Sequence, residues 1–429
     1  MVQIYFVSPY KPIMCGIADY TEYVIKELPD SNRGVLSFDL KKLNSPLLLN
    51  RTENNDCVWY GIPGAQNISA STLIKGLQAL QYQPDKSVLW FQHEFGIWPD
   101  SKRLINTLKK IDIPKIITFH TIHFQSKETV SGMRKKQYKF LKEILPLVDA
   151  VTVFSRGAFE AVVFAFPDYA DKVHILKHGI HLYPGINQMS TAEAKNRFKD
   201  YIIHDLVADM GVKKRLLRER VFHEDGPIVI GQAGFLGKHK GSETLFSFRD
   251  KLQNTVPKQR IVGVRMGGLR DKRQKQHVEK LRASHSGKNK FIVEAWLPPN
   301  ILPLAQRAFD INFYWPEHCT QSGVAAHALG AGALMVGRDL EGFGEVLKQA
   351  GGIVGQDLSS VTERSRELLL QPALKEEMAE TSLSYAQTYS WKKQAKKHLQ
   401  IAAKALSAYK PLKKQRVFDQ VLSAFKNGL

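Results

Sequence analysis

The stretch Ile311–Gly332 reads "INFYWPEHCTQSGVAAHALGAG". An apolar, strand-like run from Ile311 to Trp315 stops at Pro316 and delivers a single carboxylate, Glu317. Thr320, Gln321, Ser322 and Gly323 follow, and after them a helix of small residues. Strand, short polar turn and helix in this order are the repeating piece of a parallel βαβ sheet. A helix start offers free N–H donors and about half a positive charge, so this turn suits an anion such as phosphate. Plain capping suits the same residues, with Ser322 or Thr320 as the N-cap.

Outward from this stretch the pattern repeats. "VQIYFVS", "GVLSFDL", "CVWYGI", "SVLWFQHE", "KIITFHT", "AVTVFS" and "KVHILKHG" are strand candidates within the first 180 residues. Helix-period segments separate them, such as the one with Ile17, Tyr20, Val24, Ile25 and Leu28 on one face. A second series follows: "PIVIGQAGFLG", "QRIVGVRMGG", "KFIVEAWLP", "DINFYWPE", "ALMVG" and "GGIVG". Between the two series, Tyr183 to Asp225 opens with "YPGINQMS" and continues as a charged helical stretch. After Gln356 the pattern is helical to the end. Such alternation predicts an α/β protein with parallel sheets covered on both faces. The predicted organisation is two tandem Rossmann-like, doubly wound domains, residues 1–182 and 227–385. A linker with a lid-like or surface helical insert (183–226) joins them, and basic helices (386–429) close the chain.

With 429 residues the chain is longer than one core usually supports, which agrees with two domains. Its 43% hydrophobic and 24% charged residues are those of an ordinary globular protein. No segment reaches the apolar length of a membrane span, and the N-terminus reads as a strand rather than a signal peptide. Cys15, Cys57 and Cys319 are odd in number and lack metal-type spacing. A cytoplasmic location follows as the simplest expectation.

Charge is the strongest compositional signal. The net charge is +20, and residues 1–180 hold 22 Lys/Arg against 17 Asp/Glu, leaving 39 against 24 for the rest. From Trp391 onward there are ten Lys/Arg and one acid, Asp419. Such a field favours nucleic acid, phosphorylated substrates or the inner, anionic face of a membrane, and it also serves simple solubility. Nucleic acid is the weakest of these: the basic run Arg270–Arg282 has helical spacing and no interleaved aromatics for base stacking.

Ligands of doubly wound sheets bind at the carboxyl ends of the strands, so the residues there are the informative ones. After the first strand comes "SPYKPIMCGIADY", where Gly16 lets backbone approach a ligand. The fourth strand ends in Gln92, His93 and Glu94, and the fifth in His120 and Thr121. In the second series the first strand ends in "GFLGKHKG", with Lys238, His239 and Lys240, and the fourth ends at Glu317. Taken singly, each has an ordinary structural role open to it: a turn glycine, a bonded histidine, a solvated turn, a cap. Together they fit a cleft between the domains that holds an anionic, polyhydroxylated ligand.

In their order these segments resemble a GT-B-fold glycosyltransferase of the large retaining family four, over nearly the whole chain. "PIMCGIADYTEYV", "FQHEFGIW", "ITFHT", "ILKHGI", "GFLGKHKG", "SGVAAHALGAG" and "EGFGEVL" carry the resemblance. It implies transfer of a hexose from a nucleotide sugar such as GDP-mannose or UDP-glucose to a glycan or lipid-linked acceptor. It places the acceptor at the first domain, with His93 and Glu94, and the donor at the second. "TYSW" resembles the point where the chain crosses back to the first domain. Gly16 would approach the donor phosphate, His120 the sugar near the reacting carbon, and Lys240, with Lys238, the diphosphate. Glu317 would hold hydroxyls of the transferred sugar, Thr320, Gln321, Ser322 and Gly323 would bind the donor at the helix start, and Glu345 would contribute from "EGFGE". Two positions depart from the family. Ala325 stands where a second glutamate commonly binds ribose, leaving Glu345 or Glu341 to contribute. Gly234 stands where a phosphate-binding arginine is usual, leaving Lys238 and Lys240, aided by Arg265. No Asp-x-Asp motif ends a strand, so neither metal nor cofactor is expected. A non-catalytic relative that binds a glycan or nucleotide is the alternative.

Overall fold

The computed structural model describes residues 1–43, 56–98, 102–269, 272–285 and 287–410. The tail from residue 411 and the start of the basic run at 270–271 lie outside the described residues. Two compact units divide the chain. One comprises Met1–Phe154, Ala158–Leu176 and the chain from Gln394 onward; the other comprises Ser155–Gly157 and Lys177–Lys393.

The first unit is built on β1 (Gln3–Val7), β2 (Arg33–Phe38), β3 (Val58–Ile62), β4 (Ser87–His93), β5 (Lys115–Phe119), β6 (Ala150–Val153) and β7 (Val173–Ile175). They form one sheet in the order β3-β2-β1-β4-β5-β6-β7, parallel throughout. Helices cover both faces, so strands such as β4 and β5 are buried at every residue and need unbroken apolar runs. Part of the helix Trp391–Ala408 belongs to this unit: His398 packs 4.7 Å from Trp90, ring to ring, and its Nε2 lies 3.4 Å from Tyr20 Oη.

The second unit carries β8 (Ile228–Ala233), β9 (Ile261–Gly267), β10 (Lys290–Glu294), β11 (Ile311–Tyr314), β12 (Met335–Arg338) and β13 (Ile353–Gly355). Their order is β10-β9-β8-β11-β12-β13, again all parallel. Alternate side chains feed two cores on opposite faces: Val229, Val262, Val264 and Phe291 on one, Ile230, Ile261, Ile292 and Phe313 on the other. Each of these strands coincides with a segment read as a strand from the sequence, with β2 starting at Arg33 and β12 ending at Arg338, each one residue beyond it.

Segment 183–226, expected as a linker with a surface insert, is core material of the second unit. Ser190 and Glu193 close a capping box on the helix Thr191–His204. Ala194, Phe198 and Ile202, four residues apart on one helix face, join Leu216, Val221 and Phe222 in the core beside β8 and β9. Most charged residues of that helix occupy the other face, but Lys195 is buried and pairs with Asp310 at 2.7 Å.

Candidate active site

In both sheets the connection reverses direction once, between β1 and β4 and between β8 and β11. Such switch points are where ligands sit in open parallel sheets. At the second one the two quoted stretches meet. β8 ends at Ala233 and leads into a short turn, Lys238–Lys240. Gly241 then adopts φ 72°, and a Cβ there would lie 1.9 Å from Trp315 O, so only glycine lets the turn reach the end of β11 and start the helix Ser242–Thr255. From the other side, Glu317 N–H donates to His239 O at 3.2 Å.

The side chains follow the backbone. His239 Nδ1 and Glu317 Oε2 are 2.5 Å apart, both side chains more than half exposed, and this bond holds the Glu317 carboxyl below its ordinary range. Lys240 Nζ donates to Tyr314 Oη at 3.1 Å, and the neighbouring phenol raises the lysine's pKa. Ser322 Oγ accepts from Ala325 N–H at 3.3 Å and caps the helix Gly323–Gly330. Thus Lys238, Lys240, Glu317, Thr320, Gln321, Ser322 and Gly323 gather at one switch point. His239 and Tyr314 complete the group; neither carries a role in the sequence analysis, although His239 adjoins Lys240 and Tyr314 stands at the end of the strand that leads to Glu317.

Other expectations change on contact with the geometry. Arg265 is 1% exposed and bonded to four backbone carbonyls and Ser242 Oγ, so it cannot reach a ligand directly. Glu345 is half-buried and already engaged: it accepts from Arg156 N–H at 2.9 Å, from Gly157 N–H at 3.2 Å and from the Lys177 ammonium. Burial pushes its carboxyl up, but Lys177 and the amides hold it below the ordinary range overall. Glu341 is buried, with a left-handed φ of 45°. Ala325 is buried too, lining a cavity of about 20 Å³ with His178, Ser322 and Tyr385. That space holds about one water, not a ribose.

In the first unit, His120 and Gly16 lie after the two strands of the switch point or their neighbour. His120 Nε2 is 2.7 Å from Gln92 Oε1, and its ring meets Tyr20 edge-on at 4.9 Å, so orientation is set from two sides. Gly16 opens the helix Gly16–Glu27 with nothing within 4 Å of where a Cβ would stand. Glu94 accepts from Thr121 Oγ1. His93, expected on the acceptor side, is instead 1% exposed among Phe95, Phe119 and Phe140. Burial there lowers its pKa to about 3, which makes it a neutral core residue. Its position inside β4 explains this: the last residue of a covered strand points into a face, not off the edge. Among the described residues no three His, Cys, Asp or Glu side chains group as metal ligands.

No protein-family model and no curated protein sequence matches the chain. Solved structures do. The α,α-trehalose 6-phosphate synthase of Burkholderia multivorans aligns with TM-score 0.67 at 14% identity, over 96% of this chain and 100% of that one. The fold is GT-B. Anabaena Alr3699/HepE, solved in complex with UDP-glucose, shares this GT-B frame with TM-score 0.62 at 12% identity, over 93% and 100% of the two chains. The N-terminal domain of Candida albicans trehalose-6-phosphate phosphatase does so with TM-score 0.60 at 12% identity, over 94% and 97%.

Proposed function

We propose that this GT-B chain is a retaining glycosyltransferase that moves a hexose from a nucleotide diphosphate sugar to a hydroxyl of a glycan or lipid-linked acceptor. The observation that carries the reading is the Lys240 ammonium at the β8/β11 switch point, bonded to a phenol and to no carboxylate among the described residues. A cation so placed calls for an anion. Breaking the anomeric C–O bond sends its electron pair to the β-phosphate, and a preorganised cation with helix N–H donors lowers the energy of that charge. Lys238 and Lys240 offset it without requiring a metal. The departing phosphate oxygen takes the acceptor's proton on the same face as the acceptor oxygen bonds to the anomeric carbon, which conserves configuration. His120, aimed by Gln92, is assigned to the sugar near that carbon. Glu317 uses Oε2 for His239, leaving Oε1 to accept from a sugar hydroxyl.

The UDP-glucose complex of HepE makes UDP-glucose the first donor to test, ahead of GDP-mannose. For a lipid-linked acceptor, the exposed Lys392, Lys393, Lys396 and Lys397 supply attraction to an anionic membrane surface. No helix among the described residues is long and apolar enough to cross a membrane. A thermal-shift panel of UDP, GDP, ADP and their sugar conjugates tests the reading: at least one raises the melting temperature. No shift with any of them overturns it. Ala325 and the engaged Glu345 favour a second reading, a GT-B protein that binds a nucleotide or glycan without turnover. Hydrolysis or transfer from any donor eliminates that one.

A further inference from the structure

We propose that Arg265 is a positioning residue that builds and charges the phosphate-facing turn after β8, without touching the ligand. The inference rests on the donor reading above. Arg265 lies on β9 opposite Gln232 of β8. Its Nε donates to Ser242 Oγ at 2.9 Å, Nη1 to the carbonyls of Gln232, Gly234 and Met266 at 3.1, 2.9 and 2.9 Å, and Nη2 to Phe235 O at 2.6 Å. Every acceptor is neutral, and among the described residues no carboxylate forms an ion pair with it.

A buried guanidinium ordinarily has an acidic partner, because solvation lost on burial must be replaced. Here carbonyl dipoles replace the solvation, and the net charge stays. Lys240 adds a second positive charge nearby: its pKa is raised overall by the Tyr314 phenol, and the Arg265 charge is close enough to act against that rise. A bound diphosphate is the counter-ion this pair lacks. The same bonds also shape the turn. Gly234, at φ 113°, points its carbonyl at the guanidinium. In a planar trans peptide the N–H of the next residue points the opposite way. Phe235 N–H therefore faces away from Arg265, and it has no partner among the described residues. Arg265, one strand over, thus charges and shapes this turn from behind, without itself reaching the ligand.

The test compares Arg265→Gln, which removes the charge, with Arg265→Lys, which keeps it but loses the planar fork. Binding of UDP, GDP, ADP and inorganic pyrophosphate is measured by calorimetry, with the matching nucleosides as uncharged controls. At a separation of about 12 Å and an effective dielectric near 20, loss of the unit charge implies roughly tenfold weaker diphosphate binding in Arg265→Gln. Arg265→Lys stays within about threefold of the unsubstituted protein, and nucleoside affinity holds in both. Equal losses in the two variants, or no loss in Arg265→Gln, overturn the inference. Should Arg265→Gln fail to fold, Arg265→Lys alone decides: affinity held supports the role of charge, and a tenfold loss refutes it. If the unsubstituted protein binds none of the diphosphates, the donor reading itself fails, which is a different outcome from binding that ignores Arg265.

Discussion

Replacing Lys240 by Ala removes the exposed cation of the switch point and little else. Among the described residues its ammonium bonds the Tyr314 hydroxyl at 3.1 Å and forms no ion pair. Folding stability should therefore change by less than about 0.5 kcal/mol, the usual range for surface positions away from special features. Ligand binding should change far more. A hydrogen bond to a charged group contributes about 1.5–3 kcal/mol. At roughly 1.4 kcal/mol per factor of ten, the dissociation constant for a nucleoside diphosphate should rise about ten- to a hundredfold. Calorimetric titration with the best nucleotide of the panel gives that number, and thermal unfolding supplies the control. An unchanged dissociation constant would refute the placing of the diphosphate at Lys240. A large fall in melting temperature would instead make Lys240 a structural residue of the turn.

Four further outcomes are expected. Glu317→Gln keeps the shape but loses the charge that holds sugar hydroxyls, so turnover should fall roughly ten- to a hundredfold, while binding of the free nucleoside diphosphate barely moves; steady-state kinetics beside calorimetry separate the two. Gly241→Ala forces a Cβ against Trp315 O and a left-handed backbone on an L-residue, and should lower stability by at least about 1–3 kcal/mol in denaturant titrations. Glu345 has its carboxyl held below the ordinary 4.5, so its pairing stabilises the folded chain above that pH and is lost as the pH falls below it; the melting temperatures of the protein and of Glu345→Gln should differ at neutral pH and converge as the pH falls progressively below 4.5, and a constant difference would argue against the pairing. Replacing Lys392, Lys393, Lys396 and Lys397 by Gln should weaken sedimentation with anionic vesicles but spare transfer to a soluble acceptor, whereas unchanged sedimentation would leave those lysines a solubilising face only.

Strands proved legible because sheets covered on both faces demand unbroken apolar runs, and few other segments supply them. Ends of strands were legible for a related reason: "GFLGKHKG" and "YWPEHC" abandon the apolar run abruptly, and both do so at the switch point. Burial of polar residues was not legible in the same way. His93 and His120 each stand at a strand end, one sealed among three phenylalanines and the other bonded to Gln92. Their neighbours in sequence distinguish them poorly, because only Phe95 of the rings around His93 is local, while Phe119 and Phe140 lie far along the chain. Arg265 shows the converse, a charge hidden inside a strand whose acceptors, apart from the Ser242 hydroxyl, are backbone atoms that leave no mark in sequence. In segment 183–226 the apolar stripe Ala194, Phe198 and Ile202 was present to be read, but the density of charge on the remaining face outweighed it.

The central claim is that the switch point of the second sheet binds a nucleotide diphosphate sugar and releases its sugar. Following nucleoside diphosphate release from UDP-glucose, GDP-mannose and ADP-glucose, with the unsubstituted protein and Lys240→Ala side by side, tests it most directly. Release from one donor that is lost in Lys240→Ala is the predicted result. Release that survives Lys240→Ala unchanged, or none from any donor at any concentration that saturates binding, would contradict it.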